Sequence, residues 1–313
     1  MRTVEVIKGG AFSTVQDLGR YGYQRFGVPV SGALDQFALR VGNLLIGNEE
    51  SDAGLEATFL GPTLRFHLNV TIAITGGDLS PVLDGRPILG WRSLSIPAGS
   101  TLSFTGPRDG IRAYVCVRGG IDVPIVMGSR STFTRSQFGG FHGRALATGD
   151  MVPVADTDSD TLQSEGRELA SHAVPSYGHH HTLHVTMGPQ DDAFTTAGID
   201  TLLASTFTVT PMFDRMGYRL EGPAIEHKKS ADIVSDGTSR GAVQVPGSGK
   251  PIVLLADCGT TGGYTKIATV ISADLPRMAQ AQPGDTVEFR TVSLEEAHRA
   301  LREQEALIAS LRG

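Results

Sequence analysis

The chain is poor in cysteine, has no excess of positive charge and contains no long apolar run, and each shortage removes a class of protein. Two cysteines in 313 residues cannot build a disulfide framework. Cys116, in the alternating run RAYVCVRGG, is expected to be a buried strand residue. Cys258, in ADCGTTGG, has no base or cation beside it in sequence to activate its thiol. Lys and Arg number 27 against 33 Asp and Glu, a formal charge of −6 at pH 7. A nucleic-acid binder needs a basic face to replace counterions, so that class is excluded. No run approaches the roughly 20 apolar residues of a membrane span, and MRTVEVIKGG lacks the apolar core of a signal peptide. The expectation is a cytoplasmic protein.

What is present is glycine, 39 residues of it, scattered rather than repeated. Between the glycines run short alternating segments: TLRFHLNVTIAIT, SLSIPAGSTLSF, AYVCV, TLHVTM, TFTVT, AVQV, PIVLL and TVEF. Period-two alternation bounded by Gly, Pro, Asp and Ser predicts many short strands, and hence a mainly β barrel or sandwich. With 40% hydrophobic residues, the chain has enough to fill a core. Helices are few. SGALDQFALRVGNLLIGN places Leu34, Phe37, Val41 and Leu44 on one face, with Ser31 as the expected cap and Gly47 with Asn48 as the stop. QDDAFTTAGIDTLLA and ADLPRMAQ predict shorter helices, and the tail opens with a capping box from Ser293 to Glu296. The polar, aperiodic stretch around 156–180 predicts a linker. The expected division is therefore a first barrel-like part over 1–155, the linker 156–180, a second barrel-like part over 181–291 and a C-terminal helix over 292–313. FLGPTLRF against LEGPAIEH, and PAGSTLSF against QPGDTVEF, are echoes that suit two related halves.

Three glycine-rich stretches imitate known active sites. GTSRG, residues 237–241, fits the serine-nucleophile pattern, but AVQVPGSGKPIVLL follows it as a hairpin where that pattern needs a helix. PGSGKP has the Gly-Lys of a phosphate loop without its Ser or Thr, and Pro251 removes a backbone donor. DCGTTGGYTK differs from both: Asp257, Thr260, Thr261, Gly262 and Tyr264 form a short loop whose glycines let backbone N–H groups approach a ligand, although a corner between strands would look similar. His179–His181 with His184 lack a carboxylate or cysteine at ligand spacing, so a solvated polar stretch is expected and no metal. TVQDLGRYGYQRFGVPVSGALDQFA packs Gln16, Asp17, Arg20, Tyr23 and Asp35 around glycines. A binding loop is the sharper reading; an ordinary Asp17–Arg20 surface pair is the plainer one. Arg130 in GSRST and Arg215 in FDRMGYRL add planar cations suited to a carboxylate, which suggests a small anionic substrate.

TVQDLGRYGYQRFGVPVSGALD, GSRSTFTRSQFGGFHGRAL, DRMGYRLEGP, GAVQVPGSGKPIVLLAD and TTGGYTKIATVISADL together resemble one family. It comprises the C subunits of bacterial 5-oxoprolinases, allophanate hydrolase subunit 2, KipA-like proteins and the carboxyltransferase subdomains A and B of urea carboxylase. The resemblance spans about residues 5 to 290. It implies two cyclophilin-like β-barrel subdomains with a few short helices, acting with a homologous B subunit and, in 5-oxoprolinase, an A subunit as well. The activity implied is ATP-dependent opening of 5-oxo-L-proline to L-glutamate. One alternative is carboxyl transfer from carboxybiotin to urea or a related small amide, and another is a non-catalytic KipA-like binding or regulatory protein. The chain has neither a Met-Lys-Met biotinylation site nor a Walker loop, so biotin would arrive on another protein and ATP belongs to the complex, with no site assigned on this chain. Family members often carry QTTGGY where Gly259 stands here, which bears on substrate identity. Site candidates are Asp17, Asp35 or Asp257 as base, and Arg20, Arg130 or Arg215 for the carboxylate. Thr260, Thr261 and Gly262 are the oxyanion donors, with Gln16, Gln244 and Tyr264 as further substrate contacts.

Overall fold

The computed structural model describes residues 2–156 and 166–312. Contacts divide the chain into one unit of residues 1–21, 31–176 and 308–313, and another of 22–30 and 177–307. The predicted alternating runs all appear as strands. Residues 157–165 of the expected linker lie outside the described residues. Residues 166–176 count with the first unit, where Glu168 bridges to Arg92 and Leu169 N–H donates to the Trp91 carbonyl.

The first unit contains β1 (Thr3–Lys8), β2 (Phe12–Gln16), α1 (Gln36–Leu45), β3 (Gly54–Thr58), β4 (Thr63–Phe66), β5 (Val70–Asp78) and β6 (Pro81–Leu83). It continues through β7 (Arg86–Pro87), β8 (Ser93–Ile96), β9 (Thr101–Phe104), β10 (Asp109–Val117) and β11 (Met151–Pro153). One antiparallel sheet has the order β11-β1-β4-β9-β6-β7 and the other β2-β3-β10-β5-β8. Alternation decides which side chains meet. Val4, Val6, Leu64, Phe66 and Leu102 from one sheet share a core with Val15, Leu55, Ile72, Ile74 and Val115 from the other. Burying each such side chain contributes about 1.5–3 kcal/mol.

Helix α1 packs on β5 and β10. The close approach needs Gly42, since a Cβ there would stand 2.7 Å from Cys116 Sγ and 2.8 Å from Thr75 Oγ1. Its cap corrects the sequence expectation. Asp35, not Ser31, is the N-cap and accepts from the Ala38 N–H at 2.9 Å. Ser31 instead lies four residues before the cap at φ 56°, in the left-handed region.

The second unit contains β12 (His180–Met187), α2 (Thr196–Ala204), β13 (Thr206–Phe213), β14 (Gly217–Glu221), β15 (Asp232–Gly237) and β16 (Ala242–Val245). It continues with β17 (Ile252–Leu254), β18 (Thr261–Val270), α3 (Leu275–Gln280), β19 (Thr286–Thr291) and α4 (Leu294–Ala309), whose last residues count with the first unit. The strands run in the order β12-β19-β13-β14-β17-β16-β18-β15, and β12 also pairs with β18, which closes the sheet into a barrel. Leu183, Phe207, Tyr218, Val243, Val253, Ile267 and Phe289 fill its interior. The capping box of α4 forms as expected: Ser293 N–H donates to Glu296 Oε2 at 2.8 Å and Glu296 N–H to Ser293 Oγ at 3.2 Å. Among the described residues no helix is long and apolar enough to cross a membrane.

Candidate functional site

In the first unit the end of β2 delivers Gln16 and Asp17 to the segment 129–132. Thr132 donates both its N–H and its hydroxyl to the Val15 carbonyl, at 3.0 and 2.9 Å, so this segment runs beside β2. Asp17 is the hub. Its carboxylate accepts from Ser129 Oγ at 2.6 Å, Ser131 Oγ at 2.5 Å, Arg130 N–H at 2.5 Å and Gly19 N–H at 2.8 Å. Arg20 is wholly buried, donates to the Ser131 carbonyl and lies 4.8 Å over the Phe138 ring. The expectation of a surface Asp17–Arg20 pair is thus corrected. Both side chains are buried and both grip the same loop, which lies more than a hundred residues away in sequence.

The other first-unit candidates each have a partner. Gln16 donates to Thr14 Oγ1 and the Thr132 carbonyl, while its buried Oε1 has no hydrogen-bond partner among the described residues. Asp35 caps α1, and its N–H donates to Tyr114 OH at 2.8 Å. That hydroxyl in turn donates to Glu56 Oε2 at 2.8 Å, which also accepts from Leu34 N–H. Burial, reinforced by the Glu56 charge, pushes the Tyr114 phenol up. Arg130 donates to the Val123 carbonyl at 3.0 Å and meets Asp122 at 3.2 Å, with a third of its side chain exposed. Beside this loop a cleft of ≈ 390 Å³ is lined by Val123, Val126, Phe138, Gly140, Phe141 and His142, among others. The cleft segment holds three non-glycine residues at positive φ, Met127, Gln137 and His142. Such strain persists only where surroundings over-determine the backbone.

In the second unit Arg215 and Asp257 form a buried two-point pair, Nε to Oδ2 at 2.9 Å and the terminal nitrogen to Oδ1 at 3.2 Å. Asp257 N–H also donates to the Arg215 carbonyl at 2.9 Å. The look-alikes resolve as expected. Ala242 N–H donates to the Ser239 carbonyl, forming a turn into the β16–β17 hairpin, and Lys250 at the far end of that hairpin bonds the Gly222 carbonyl and Glu221. Thr261–Tyr264, expected as a loop, are already strand. β15 pairs with them, matching Asp236 to Gly262 and Gly237 to Thr261. This strand had no signature because nearly all of it is exposed, Val234 at 93%, so no apolar alternation marks it. Thr261 and Tyr264 are exposed, Thr260 and Gly262 half-buried. Gln244 packs so near Gly262 that a Cβ there would lie 2.5 Å from its Nε2. Burial raises the Cys258 thiol, and Cys116 likewise.

Among the histidines, His181 departs from the expectation. His179 Nδ1 and His181 Nε2 lie 2.8 and 3.0 Å from the two oxygens of Asp285, and His184 Nδ1 lies 2.8 Å from Asp274. His181 alone leaves the expected solvated stretch; the His179, His180 and His184 side chains are 73%, 55% and 42% exposed. β12 begins at His180, and His181 is fully buried. The carboxylate partners lie about a hundred residues downstream, where no spacing rule could find them. No group of three or more metal-ligating side chains occurs among the described residues. Sequence reading passed over Glu56, a charge set within an otherwise buried strand, and gave no role to Lys266, which lies in the buried second half of β18.

A family model for the carboxyltransferase domain, subdomain A and B, matches residues 26–291. The C subunit of the Escherichia coli 5-oxoprolinase is 37% identical over 309 residues, covering 98% of this chain and 97% of its own. Its namesake from Haemophilus influenzae is 36% identical, with coverage of 99% and 97%. The crystal structure of the Kluyveromyces lactis urea amidolyase superposes with a TM-score of 0.93 at 32% identity, covering 99% of this chain and 20% of that one. The mainly β architecture of curled sheets matches that structure.

Proposed function

This chain belongs to the family of carboxyltransferase domains, subdomains A and B, and from that premise we propose that it is the C subunit of a 5-oxoprolinase complex. The complex opens 5-oxo-L-proline to L-glutamate. The observation that carries this reading is the end-to-end match to two 5-oxoprolinase C subunits. Water supplies OH to the ring carbonyl carbon and H to the ring nitrogen as the C–N bond breaks. Amide resonance opposes that attack, so the complex spends ATP to activate the carbonyl. The one phosphate-loop look-alike on this chain does not fit a nucleotide: it is a hairpin whose lysine is bonded to Gly222 and Glu221, with no helix N-terminus behind it.

The candidates take different roles in this reading. Asp17, Asp35 and Arg20 are committed to the 129–132 segment and to the α1 cap, so they position rather than carry protons. Gln16 contributes an unused buried acceptor. Arg130 retains an exposed face and is the first unit's carboxylate-binding candidate. In the second unit the Arg215–Asp257 pair sets the turn that leads into Thr260, Thr261 and Gly262, which present donors to developing oxyanion charge. Tyr264 and Gln244 flank them.

The test measures glutamate released from 5-oxo-L-proline, with and without ATP, by this chain alone and with its A and B partners. Release only in the complete ATP-containing mixture is expected. A verified assembly that releases none would overturn the reading. Carboxyl transfer from carboxybiotin to a small amide would then lead, a second reading favoured by the match to urea amidolyase.

A further inference from the structure

Lys266 lies within β18 between Thr265 and Ile267, both fully buried, and its own side chain is only 4% exposed. An ammonium has three N–H donors. Among the described residues it donates to Asp236 Oδ2 at 2.9 Å. The surroundings hold it rigidly: Gln190 accepts from Lys266 N–H through Oε1 at 3.1 Å and donates from Nε2 to the same Asp236 oxygen at 3.3 Å.

Gln244 is the register partner of Lys266 on β16, so both side chains leave the same face of the sheet. Gln244 is 7% exposed, yet its Nε2 has no acceptor among the described residues. Exchanging the amide oxygen and nitrogen would only trade an unpaired donor for an unpaired acceptor. Buried donors are almost always satisfied, and one that is not asks for an explanation. The backbone opposite belongs to Gly262, the register partner of Asp236, and Nε2 packs where a side chain would stand: a Cβ there would lie 2.5 Å from it.

We propose that Lys266 and Gln244 form the subsite that binds and polarises the carbonyl oxygen of a small amide or lactam. Asp236 serves as the fixed counter-ion. Charge favours this ligand class over a second carboxylate, because the Lys266–Asp236 pair is already neutral. A carbonyl oxygen has two lone pairs, one for the ammonium and one for the amide N–H, and its bond dipole strengthens as negative charge grows on it during attack. Identifying the lactam as 5-oxo-L-proline rests on the function proposed above. The subsite does not.

The isotope-labelled chain is titrated with 5-oxo-L-proline, with 2-pyrrolidinone, which keeps the lactam carbonyl but lacks the carboxylate, and with L-proline, which lacks the lactam carbonyl. The Gln244 side-chain amide resonance is followed by NMR. Both lactams are expected to move it and L-proline is not. Lys266→Met, which keeps the buried stem, should weaken lactam binding about ten-fold or more, as expected for losing a charged hydrogen bond. In the assembled complex the same variant should lower kcat more than it raises KM, with partial rescue by Lys266→Arg. Should Lys266→Met misfold by circular dichroism, Gln244→Leu is used in the same titration, read by calorimetry, with the same loss expected. A Gln244 resonance indifferent to both lactams, or equally moved by L-proline, overturns the subsite even if the complex is active. Conversely, a complex that releases no glutamate while lactams still move the resonance in a Lys266-dependent way sinks the oxoprolinase reading and leaves the subsite standing.

Discussion

At the scale of single residues, Asp17 shows how a carboxylate near a site can serve architecture rather than chemistry. Four donors converge on it, two hydroxyls and two backbone N–H groups. Removing the acceptor strands them in a buried place, and each costs about 1–3 kcal/mol. Asp17→Ala should therefore destabilise the protein by about 3 kcal/mol or more, with Asp17→Asn intermediate. Urea unfolding of the three proteins checks this through the midpoint at constant slope. A loss below about 0.5 kcal/mol, typical of surface changes, would mean the loop does not depend on the hub. The Arg215–Asp257 pair belongs to the same class: both charges are buried, so deleting one partner leaves the other uncompensated.

At the scale of elements, glycine marks where one segment must pass close to another, and the neighbour decides the cost of a side chain. At Gly140 an added Cβ would sit 1.8 Å from Thr132 Oγ1, and φ is 54°. At Gly262 the nearest atom is the end of a flexible side chain, Gln244 Nε2, at 2.5 Å. Gly140→Ala should thus lower Tm strongly. Gly262→Ala should leave Tm nearly unchanged while displacing Gln244 and impairing the complex. Melting curves and kcat/KM measured side by side separate the two, and equal losses of Tm would refute the contrast. The motif GSRSTFTRSQFGGFHGRAL was legible as glycine-rich and polar. That its glycines serve contacts with Ser131 and Thr132 within the same folded segment was not, because backbone proximity leaves no mark on composition.

At the scale of the whole molecule, buried His181 and half-buried His227 give stability an acid limb. Burial holds His181 below its ordinary 6.5, with the Asp285 bond opposing, and burial lowers His227 as well. The unfolded chain therefore binds these protons more readily than the folded one. Stability from neutral His181 is complete above 6.5 and declines as pH falls from there through the lowered value. The lowered carboxylate of Asp150, bonded to Arg144, acts in a separate window below its usual 3.8. Tm should accordingly fall between about pH 7 and about pH 5, and His181→Gln should flatten that slope. An unchanged slope in the variant would assign the limb to other groups.

The sequence by itself determined the mainly β character, the places of the helices, the C-terminal capping box, the dismissal of the serine and phosphate-loop look-alikes, and the family. All but the family, which rests on five motifs resembling its members over about residues 5 to 290, depend on neighbours within a few positions, where alternation, capping and turn chemistry act. Tertiary structure alone decided which polar groups meet. Asp17 finds Ser129 across 112 positions, His181 finds Asp285 across 104, and Lys266 finds Asp236 only because an exposed strand with no apolar alternation pairs beside it. Period-two patterning states which face of a strand is buried, but not which strand lies next to it. The candidate site is made of those cross-strand meetings, so it became visible only once the sheets had formed.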